Sequence, residues 1–196
     1  MPYEVFIPAY RDEILSDTVM VYGNVDEVEL VLNGKTIRRQ TADKGPDSDY
    51  IPVPNGGNGK NLHFPPFTFY GVPKERGVLE AVGYHQGKKV AEYTVKTPGV
   101  PERLDITYFE SGKPATKNDL LIVYVRMLDK QGVLCPVNGI PVELSVQGGE
   151  IVGPTSYPLE AGVASFLVRT GEISKININA TGKGFSTRKS LKVGKE

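Results

Sequence analysis

One stretch of this chain, residues 19–35, combines a strand pattern with residues that favour a tight reversal. Apolar and mostly polar side chains alternate along residues 27–32, which is the period of a half-buried strand. The dipeptide Asn33-Gly34 follows, and both residue types tolerate the positive φ angles of a type I′ turn. The return strand would cover residues 36–40. The stretch therefore predicts a β-hairpin with one apolar and one polar face.

Short apolar runs separated by glycine and proline extend over the whole 196-residue sequence. The 22 glycines and 15 prolines are spread throughout the chain, which is typical of an all-β sandwich. Hydrophobic residues make up 39% and charged residues 23%, the composition of a folded rather than a disordered chain. The predicted strands cover residues 4–7, 18–22, 25–32, 36–40, 68–72, 77–84, 89–97, 103–109, 120–128, 142–147, 150–152, 162–168, 173–181 and 186–193.

The sequence Thr-Pro-Gly-Val-Pro at residues 97–101 interrupts the strand pattern, and such a cluster marks a boundary. About 100 residues lie on each side, which is the size of an immunoglobulin-like sandwich. We therefore predict an all-β fold of two tandem immunoglobulin-like β-sandwich domains, residues 1–97 and 98–196. The polar, Gly- and Pro-rich residues 41–66 are predicted to form a long flexible loop.

Charge is balanced over the chain, with 23 basic and 23 acidic residues. Dividing at Thr97 gives 11 basic and 13 acidic residues in the first half, and 12 and 10 in the second. Nucleic acids and anionic membranes are bound by clustered basic charge, so neither is an expected partner. No run reaches the ~18 apolar residues of a membrane span, and the N-terminus has no signal-peptide pattern.

Four elements of the first half resemble, in order, a segment that follows the catalytic barrel in bacterial β-galactosidase-like enzymes of glycoside hydrolase family 2. These elements are VYGNVDEVELVLNGK at 21–35, PPFTF at 65–69, GVLEAVGY with GKKVA at 77–91, and KTPGVP at 96–101. The resemblance covers most of residues 18–101. It implies that residues 1–97 are the post-barrel domain of such an enzyme.

The second half resembles the next module of those enzymes, a bacterial immunoglobulin-like domain related to invasin repeats. The similar residues are DLLIVYV at 119–125, DKQG at 129–132, Pro-Val at 136–137 and GVA at 162–164. A "GvdNGd" motif that often follows the "eivG" strand in the enzymes is replaced here by PTSY at 154–157. Any role of that loop in the family is therefore not expected in this chain.

The catalytic residues of such an enzyme are not expected in this chain. Retaining glycosidases use two carboxylates about 5–5.5 Å apart, and in family 2 these are glutamates on a (β/α)₈ barrel. The chain has no βαβ rhythm, and the Asn-Glu pair of the family's acid/base residue does not occur in it. Glu27 and Glu29 share a strand face, but we interpret them as a solvated hairpin face without differential pKa tuning.

No nucleophile, metal site or cofactor site is predicted either. Cys135 is the only cysteine, and its apolar neighbours predict a buried, inert thiol without a disulfide. His63 and His85 lack any metal-ligand spacing. The three aspartates in the loop lack a bidentate glutamate, and Pro46 breaks the register of a calcium loop. These residues are Asp43, Asp47 and Asp49.

The sequence leaves three functions open. The resemblance implies an inactive accessory region of an enzyme that hydrolyses terminal β-glycosidic bonds, in the periplasm or outside a bacterial cell, with the catalytic barrel as its partner. A carbohydrate-binding module is the first alternative, since exposed aromatic rings can stack on sugars. A segment of a cell-surface adhesin is the second. The candidate rings for an oligo- or polysaccharide are Tyr50, Phe64, Tyr70, Tyr84 and Tyr157.

Overall fold

Two groups of antiparallel strands make up the computed structural model, which describes residues 2–8, 17–43, 65–109, 114–172 and 174–194. These ranges contain fifteen strands and no helix, so the predicted all-β class is confirmed. It follows that none of the described residues forms a helix able to cross a membrane. The chain divides into two compact units, Met1–Thr97 and Pro98–Glu196, which we call unit 1 and unit 2.

Unit 1 consists of two antiparallel sheets. Its strands are β1 (Val5–Phe6), β2 (Val19–Gly23), β3 (Glu27–Leu32), β4 (Lys35–Thr41), β5 (Phe67–Phe69), β6 (Val78–His85) and β7 (Lys88–Lys96). The first sheet has the order β1-β2-β5 and the second has the order β4-β3-β6-β7.

The two sheets of unit 1 bury one common core. Val28 and Leu30 of β3 face Phe67 and Phe69 of β5, and none of the four side chains is exposed to solvent. Burial of a side chain of this size contributes about 1.5–3 kcal/mol. The apolar side chains of β3 therefore point toward the first sheet, as the sequence predicts for a half-buried strand.

Polar side chains close the β4 edge of this core. The Nη2 atom of Arg38 donates to the Tyr70 carbonyl at 3.3 Å, and Nε2 of Gln40 donates to the Thr68 carbonyl at 2.9 Å. Both bonds join β4 to the chain at or just after β5. They satisfy backbone acceptors where the two sheets diverge, which is the condition for ending a core without unpaired polar groups.

Unit 2 also consists of two antiparallel sheets. Its strands are β8 (Arg103–Phe109), β9 (Leu120–Leu128), β10 (Pro141–Gln147), β11 (Gly149–Ile151), β12 (Ser156–Pro158), β13 (Val163–Thr170), β14 (Lys175–Gly182) and β15 (Phe185–Lys192). One sheet has the order β11-β13-β9-β8 and the other the order β12-β10-β14-β15.

A second core lies between the sheets of unit 2. It is built from alternate residues such as Val123 and Val125 of β9 and Ile176 and Ile178 of β14, all of them fully buried. Each unit is therefore a pair of sheets around its own apolar core, which confirms the predicted pair of β-sandwiches.

Tight turns with positive φ angles join neighbouring strands. Asn33 and Gly34 have φ angles of 52° and 76°, and Leu32 pairs with Lys35 across them. This is the type I′ geometry that the sequence predicts. The turn after His85, between β6 and β7, has the same form, with φ angles of 49° at Gln86 and 76° at Gly87.

The strand prediction differs from the structure in several places. The strand predicted at residues 68–72 is the shorter β5, Phe67–Phe69. Strand β12 was not predicted, because it is three residues long, follows Pro154 closely and ends at Pro158, where no alternation is visible. Strand β4 slips by one residue against β3 between Leu30 and Val31, and such a bulge leaves no signal in an isolated sequence. Most of the predicted loop, residues 44–64, lies outside the described residues.

A buried carboxylate holds the first residues of unit 2 in place. Asp129 is only 2% exposed, and its side-chain oxygens accept hydrogen bonds from the backbone amides of Gly99 at 2.7 Å and Val133 at 2.8 Å. Burial raises the pKa of Asp129, but amides of Gly99, Val133, Gln131 and Gly132 outweigh it and hold the pKa below its usual value. The carboxylate is therefore ionised and structural.

Candidate functional site

The outer face of the β4-β3-β6-β7 sheet carries the densest group of polar side chains that the structure describes in unit 1. Because β3 alternates, its inward residues fill the core and its outward residues, Glu27 and Glu29, face solvent together with neighbours on β4 and β6. We call this group the polar cluster. Its members are Glu27, Glu29, Thr36, Arg39 and Tyr84.

Each carboxylate of the polar cluster already has a partner. Arg39 Nη2 donates to Glu27 Oε2 at 2.6 Å. The Tyr84 hydroxyl donates to Glu29 Oε2 at 2.7 Å, and Thr36 Oγ1 donates to Glu29 Oε1 at 2.7 Å. The guanidinium carbon of Arg39 lies 3.7 Å from the centre of the Tyr84 ring, a cation–π contact that joins the two halves of the cluster.

These contacts keep the cluster in a form unsuited to glycoside hydrolysis. The hydrogen bond from Tyr84, then that from Thr36, holds the pKa of Glu29 below its usual value, and burial opposes this only weakly. A glycosidase needs one carboxyl group whose pKa is raised, so that it can donate a proton. The structure therefore places Glu27 and Glu29 on a solvated, ion-paired sheet face, and the lowered pKa of Glu29 is opposite to what a proton donor needs.

His85 and Asp26 form a second polar contact next to the cluster, at the turn between β6 and β7. Nδ1 of His85 lies 3.0 Å from Asp26 Oδ1, and the Gln86 amide donates to Asp26 Oδ2 at 2.8 Å. The hydrogen bond from the Gln86 amide lowers the pKa of Asp26 most, and the contact with His85 lowers it further. The ring of Tyr3 stacks on the imidazole at 4.7 Å between ring centres. This arrangement fastens the turn and the N-terminal residues.

Of the aspartates and histidines that the sequence analysis considered as metal ligands, the structure describes Asp43 and His85. Asp43 accepts two hydrogen bonds from Thr68, from its backbone amide at 3.0 Å and its hydroxyl at 2.5 Å. Asp47, Asp49 and His63 lie outside the described residues. Across the described ranges, no three His, Cys, Asp or Glu side chains are grouped so that they could hold a metal ion.

Cys135 lies inside unit 2 and is 2% exposed. Its sulfur lies 3.6 Å from the Gly99 carbonyl oxygen. Burial, followed by the negative charge of Asp129, raises the pKa of the thiol. A thiol that stays protonated and enclosed is a poor nucleophile, so this environment gives Cys135 a packing role.

The candidate sugar-stacking rings are only partly available. One face of Tyr84 is covered by Arg39, and Tyr70 is half-buried. Tyr157 is 39% exposed and packs edge-on against Phe166 at 5.4 Å. Tyr50 and Phe64 lie outside the described residues. Among the candidate rings that the structure describes, Tyr84 and Tyr157 therefore each have part of their surface covered, and Tyr70 is half-buried.

The sequence analysis did not single out a second set of exposed aromatic rings. Phe6 and Tyr22 lie opposite each other on β1 and β2 and are 47% and 41% exposed. The alternation in residues 19–23 could have predicted the exposure of Tyr22, because Val19 and Val21 occupy the buried positions of the strand. The ring of Phe6 also packs edge-on against Tyr93 at 5.0 Å.

Comparison with protein families gives a match that covers the larger part of unit 1. Residues 16–91 match a family model described as "Domain of unknown function (DUF4982)". The match contains strands β2 to β6 and all five residues of the polar cluster. The description attaches no activity to this region.

Comparison with individual proteins extends the similarity over both units. The chain is 30% identical over 176 residues to a β-galactosidase of Thermoanaerobacter pseudethanolicus, with 84% of this chain and 22% of that protein covered. It is 30% identical over 112 residues to a β-galactosidase of Rhizobium radiobacter, with 56% of this chain and 81% of that sequence covered. The chain thus spans about a fifth of the Thermoanaerobacter relative.

A solved structure of a glycosyl hydrolase family 2 member from Bacteroides cellulosilyticus has the same fold. It matches with a TM-score of 0.69 and 24% identity over 90% of this chain and 23% of that protein. The Thermoanaerobacter and Bacteroides proteins therefore extend well beyond the region that this chain matches. On these matches, the chain belongs to the β-galactosidase-like proteins of glycoside hydrolase family 2 and corresponds to part of such a protein.

Proposed function

We propose that this chain is a non-catalytic accessory region of a longer glycoside hydrolase. Its role is architectural: the two sandwiches pack against the catalytic barrel of the same polypeptide and shape the access of substrate. The observation that carries the proposal is that the similarity to a β-galactosidase covers 84% of this chain but only 22% of that relative. Room for a catalytic domain therefore lies in the unmatched part of such a protein.

The chemistry of the polar cluster supports a non-catalytic role. Glycoside hydrolysis needs two carboxyl groups with different pKa values at a fixed separation. Glu27 is ion-paired to Arg39, and Glu29 accepts from Tyr84 and Thr36. Both are committed acceptors on an exposed sheet face, so neither has the environment of a general acid.

The parent protein would cleave a terminal β-linked sugar, galactose first among the candidates, from an oligo- or polysaccharide. The similarity to two β-galactosidases supports this substrate class. We also propose a periplasmic or extracellular location, which follows from the family resemblance alone. Fractionation of the native cells with an antibody against this chain tests that location, and a signal confined to the cytoplasm would overturn it.

Hydrolysis of an aryl β-galactoside tests the proposed function directly. We expect no turnover from the purified 196-residue chain, and turnover from the protein encoded by the complete native reading frame. Glu27→Gln and Glu29→Gln should leave the rate of the complete protein unchanged. Turnover by the isolated chain that either substitution abolishes would overturn the proposal, as would a native reading frame that encodes no catalytic domain.

A further inference from the structure

The outer face of the β11-β13-β9-β8 sheet in unit 2 carries an apolar row. Phe109 on β8 lies opposite Ile122 on β9, which lies opposite Leu167 on β13. Their strand neighbours, such as Leu121, point into the core, so the three side chains of the row point outward. Phe109 is 60% exposed and Ile122 43% exposed.

Two more apolar residues extend the row into a patch. Leu120, 50% exposed, lies one row further along β9 and on the same face as Ile122. Val152, 38% exposed, follows β11 and donates its amide to the Leu167 carbonyl at 2.8 Å. We call these five residues the apolar patch. Its members are Phe109, Leu120, Ile122, Val152 and Leu167.

Two ion pairs lie on the same outer face as the patch. Arg169 on β13 lies opposite Leu120 and pairs with Glu150 on β11. Arg126 on β9, four residues along the strand from Ile122, pairs with Asp105 on β8 at 2.5 Å. The charges cancel within each of these two pairs. An exposed apolar area with a polar rim is characteristic of an interaction surface.

The fold itself does not require this patch. On the other sheet of unit 2, the outward residues of β10, β14 and β15 are polar. They include Ser145, Gln147, Asn177, Asn179, Arg188 and Ser190. A sandwich of this kind therefore tolerates a polar outer face, and five apolar residues on the opposite face need a separate reason.

The size of the patch indicates what kind of partner it fits. The exposed fractions correspond to roughly 300 Å² of apolar surface. A stable complex of separate proteins buries about 800 Å² on each partner, so this patch alone is too small for a free dimer. A domain tethered in the same polypeptide has an effective concentration of about millimolar. At such a concentration, an interface smaller than that of a free dimer can be stable.

We propose that the apolar patch is the docking surface of unit 2 for another domain of the same longer polypeptide, through an apolar area on that domain. The proposal rests on the proposed function, because the docked domain would belong to the part of the longer protein that this chain does not match. In the Thermoanaerobacter relative, 22% of the length is matched and 78% is not.

Hydroxyl-radical footprinting tests this proposal on the complete native protein and on the 196-residue chain. We expect oxidation of Phe109, Leu120 and Ile122 to fall about tenfold in the complete protein relative to the chain alone. Tyr157, exposed on β12 of the other sheet, serves as the internal reference. Equal oxidation of the patch in both proteins overturns the proposal. Protection in the chain alone that grows with its concentration also overturns it, because the occupant is then a second copy.

Substitutions supply an independent measurement. Ile122→Lys should leave the thermal unfolding of the isolated chain within about 2 °C of wild type, because the side chain is partly exposed. In the complete protein, the same substitution should restore oxidation of Phe109, whereas the matched control Asn177→Lys on the polar face should not. If the complete protein hydrolyses an aryl β-galactoside yet Ile122→Lys changes nothing, the docking surface is wrong and the proposed function stands. If no catalytic domain is encoded, both fail.

Discussion

The side-chain amide of Asn33 occupies the space that a Cβ atom on Gly77 would need. Asn33 Oδ1 accepts from the Val78 amide at 2.9 Å, and Nδ2 donates to the Arg76 carbonyl at 3.1 Å. A Cβ at position 77 would lie 2.7 Å from Asn33 Cγ and closer still to Oδ1. Asn33, which lies in the turn between β3 and β4, therefore also fixes the start of β6.

Gly77→Ala should lower the free energy of unfolding of unit 1 by about 2–4 kcal/mol. The φ angle of 138° at Gly77 is unfavourable for alanine, and the new methyl group would displace Asn33. The matched control is Gly87→Ala, with φ of 76° and no atom near its Cβ position, which should cost only about 1 kcal/mol. Hydrogen exchange of β3 and β6 peptides in increasing urea measures both. Equal losses would contradict the role of Asn33.

Asp129→Asn should destabilise unit 2 by about 2–3 kcal/mol at pH 7, because the carboxylate accepts several backbone hydrogen bonds in a buried position. The folded-state pKa lies below the unfolded value, so the stabilisation is complete above the usual aspartate pKa of 3.8 and is lost as the pH falls through the folded-state pKa. Urea unfolding at pH 7 and pH 3 should give a smaller difference between the two proteins at pH 3.

The surface substitution Glu143→Gln on β10 provides the control for Asp129→Asn. It removes one negative charge from an exposed, outward position of the same unit. We expect it to change the free energy of unfolding by less than about 0.5 kcal/mol at either pH. A similar loss in both variants would mean that net charge, and not the buried acceptor, explains the effect.

Tyr84→Phe should cost about 0.5–1 kcal/mol, because it removes one hydrogen bond at a half-buried position. The bond to Glu29 raises the pKa of Tyr84 above its usual value of 10.0, and burial adds to this. The stabilisation is therefore present below pH 10 and is lost as the pH rises through the folded-state pKa. Titration of the ultraviolet absorbance should show a late-ionising tyrosine component in wild type that is lost in Tyr84→Phe and that ionises earlier in Glu29→Gln.

Asn24→Ala should loosen the N-terminal residues without unfolding unit 1. Asn24 Oδ1 accepts from the Glu4 amide at 2.7 Å, and Nδ2 donates to the Pro2 carbonyl at 2.8 Å. We expect hydrogen exchange at β1 to become about tenfold faster, while β3 and β6 keep their protection. Asn24→Asp keeps the acceptor and loses the donor, so its effect should be intermediate. If hydrogen exchange at β1 is unchanged in Asn24→Ala, the two hydrogen bonds of Asn24 do not hold the N-terminal residues in place.

The parts of the fold that depend on local chemistry could be predicted from the sequence. Asn33 and Gly34 adopt the positive φ angles that these residue types tolerate. The alternation in β3 identifies Val28 and Leu30 as core residues, and both are fully buried. The same alternation places Glu27 and Glu29 on the solvent face. In each case, the signal lies within a few residues of the feature that it predicts.

Features that depend on distant partners could not be predicted. The contact between Tyr84 and Glu29 joins residues 55 positions apart, and it requires the register between β3 and β6. Asp129 gives a turn signal with its neighbours, but its bond to the Gly99 amide spans 30 positions. The outward direction of Ile122 was hidden for another reason. In β9, both faces carry apolar residues, so the sequence is typical of a strand that is buried on both sides.

Because Cys135 is buried in unit 2, the reaction of its thiol reports when unit 2 opens, without any substitution in the chain. The chain has a single thiol, and it is enclosed in unit 2, close to the Gly99 carbonyl. A thiol-specific reagent can react only after this part of unit 2 opens, whereas events confined to unit 1 leave no trace in the reaction. The rate of thiol labelling in the unmodified protein therefore distinguishes local opening of unit 2 from local opening of unit 1.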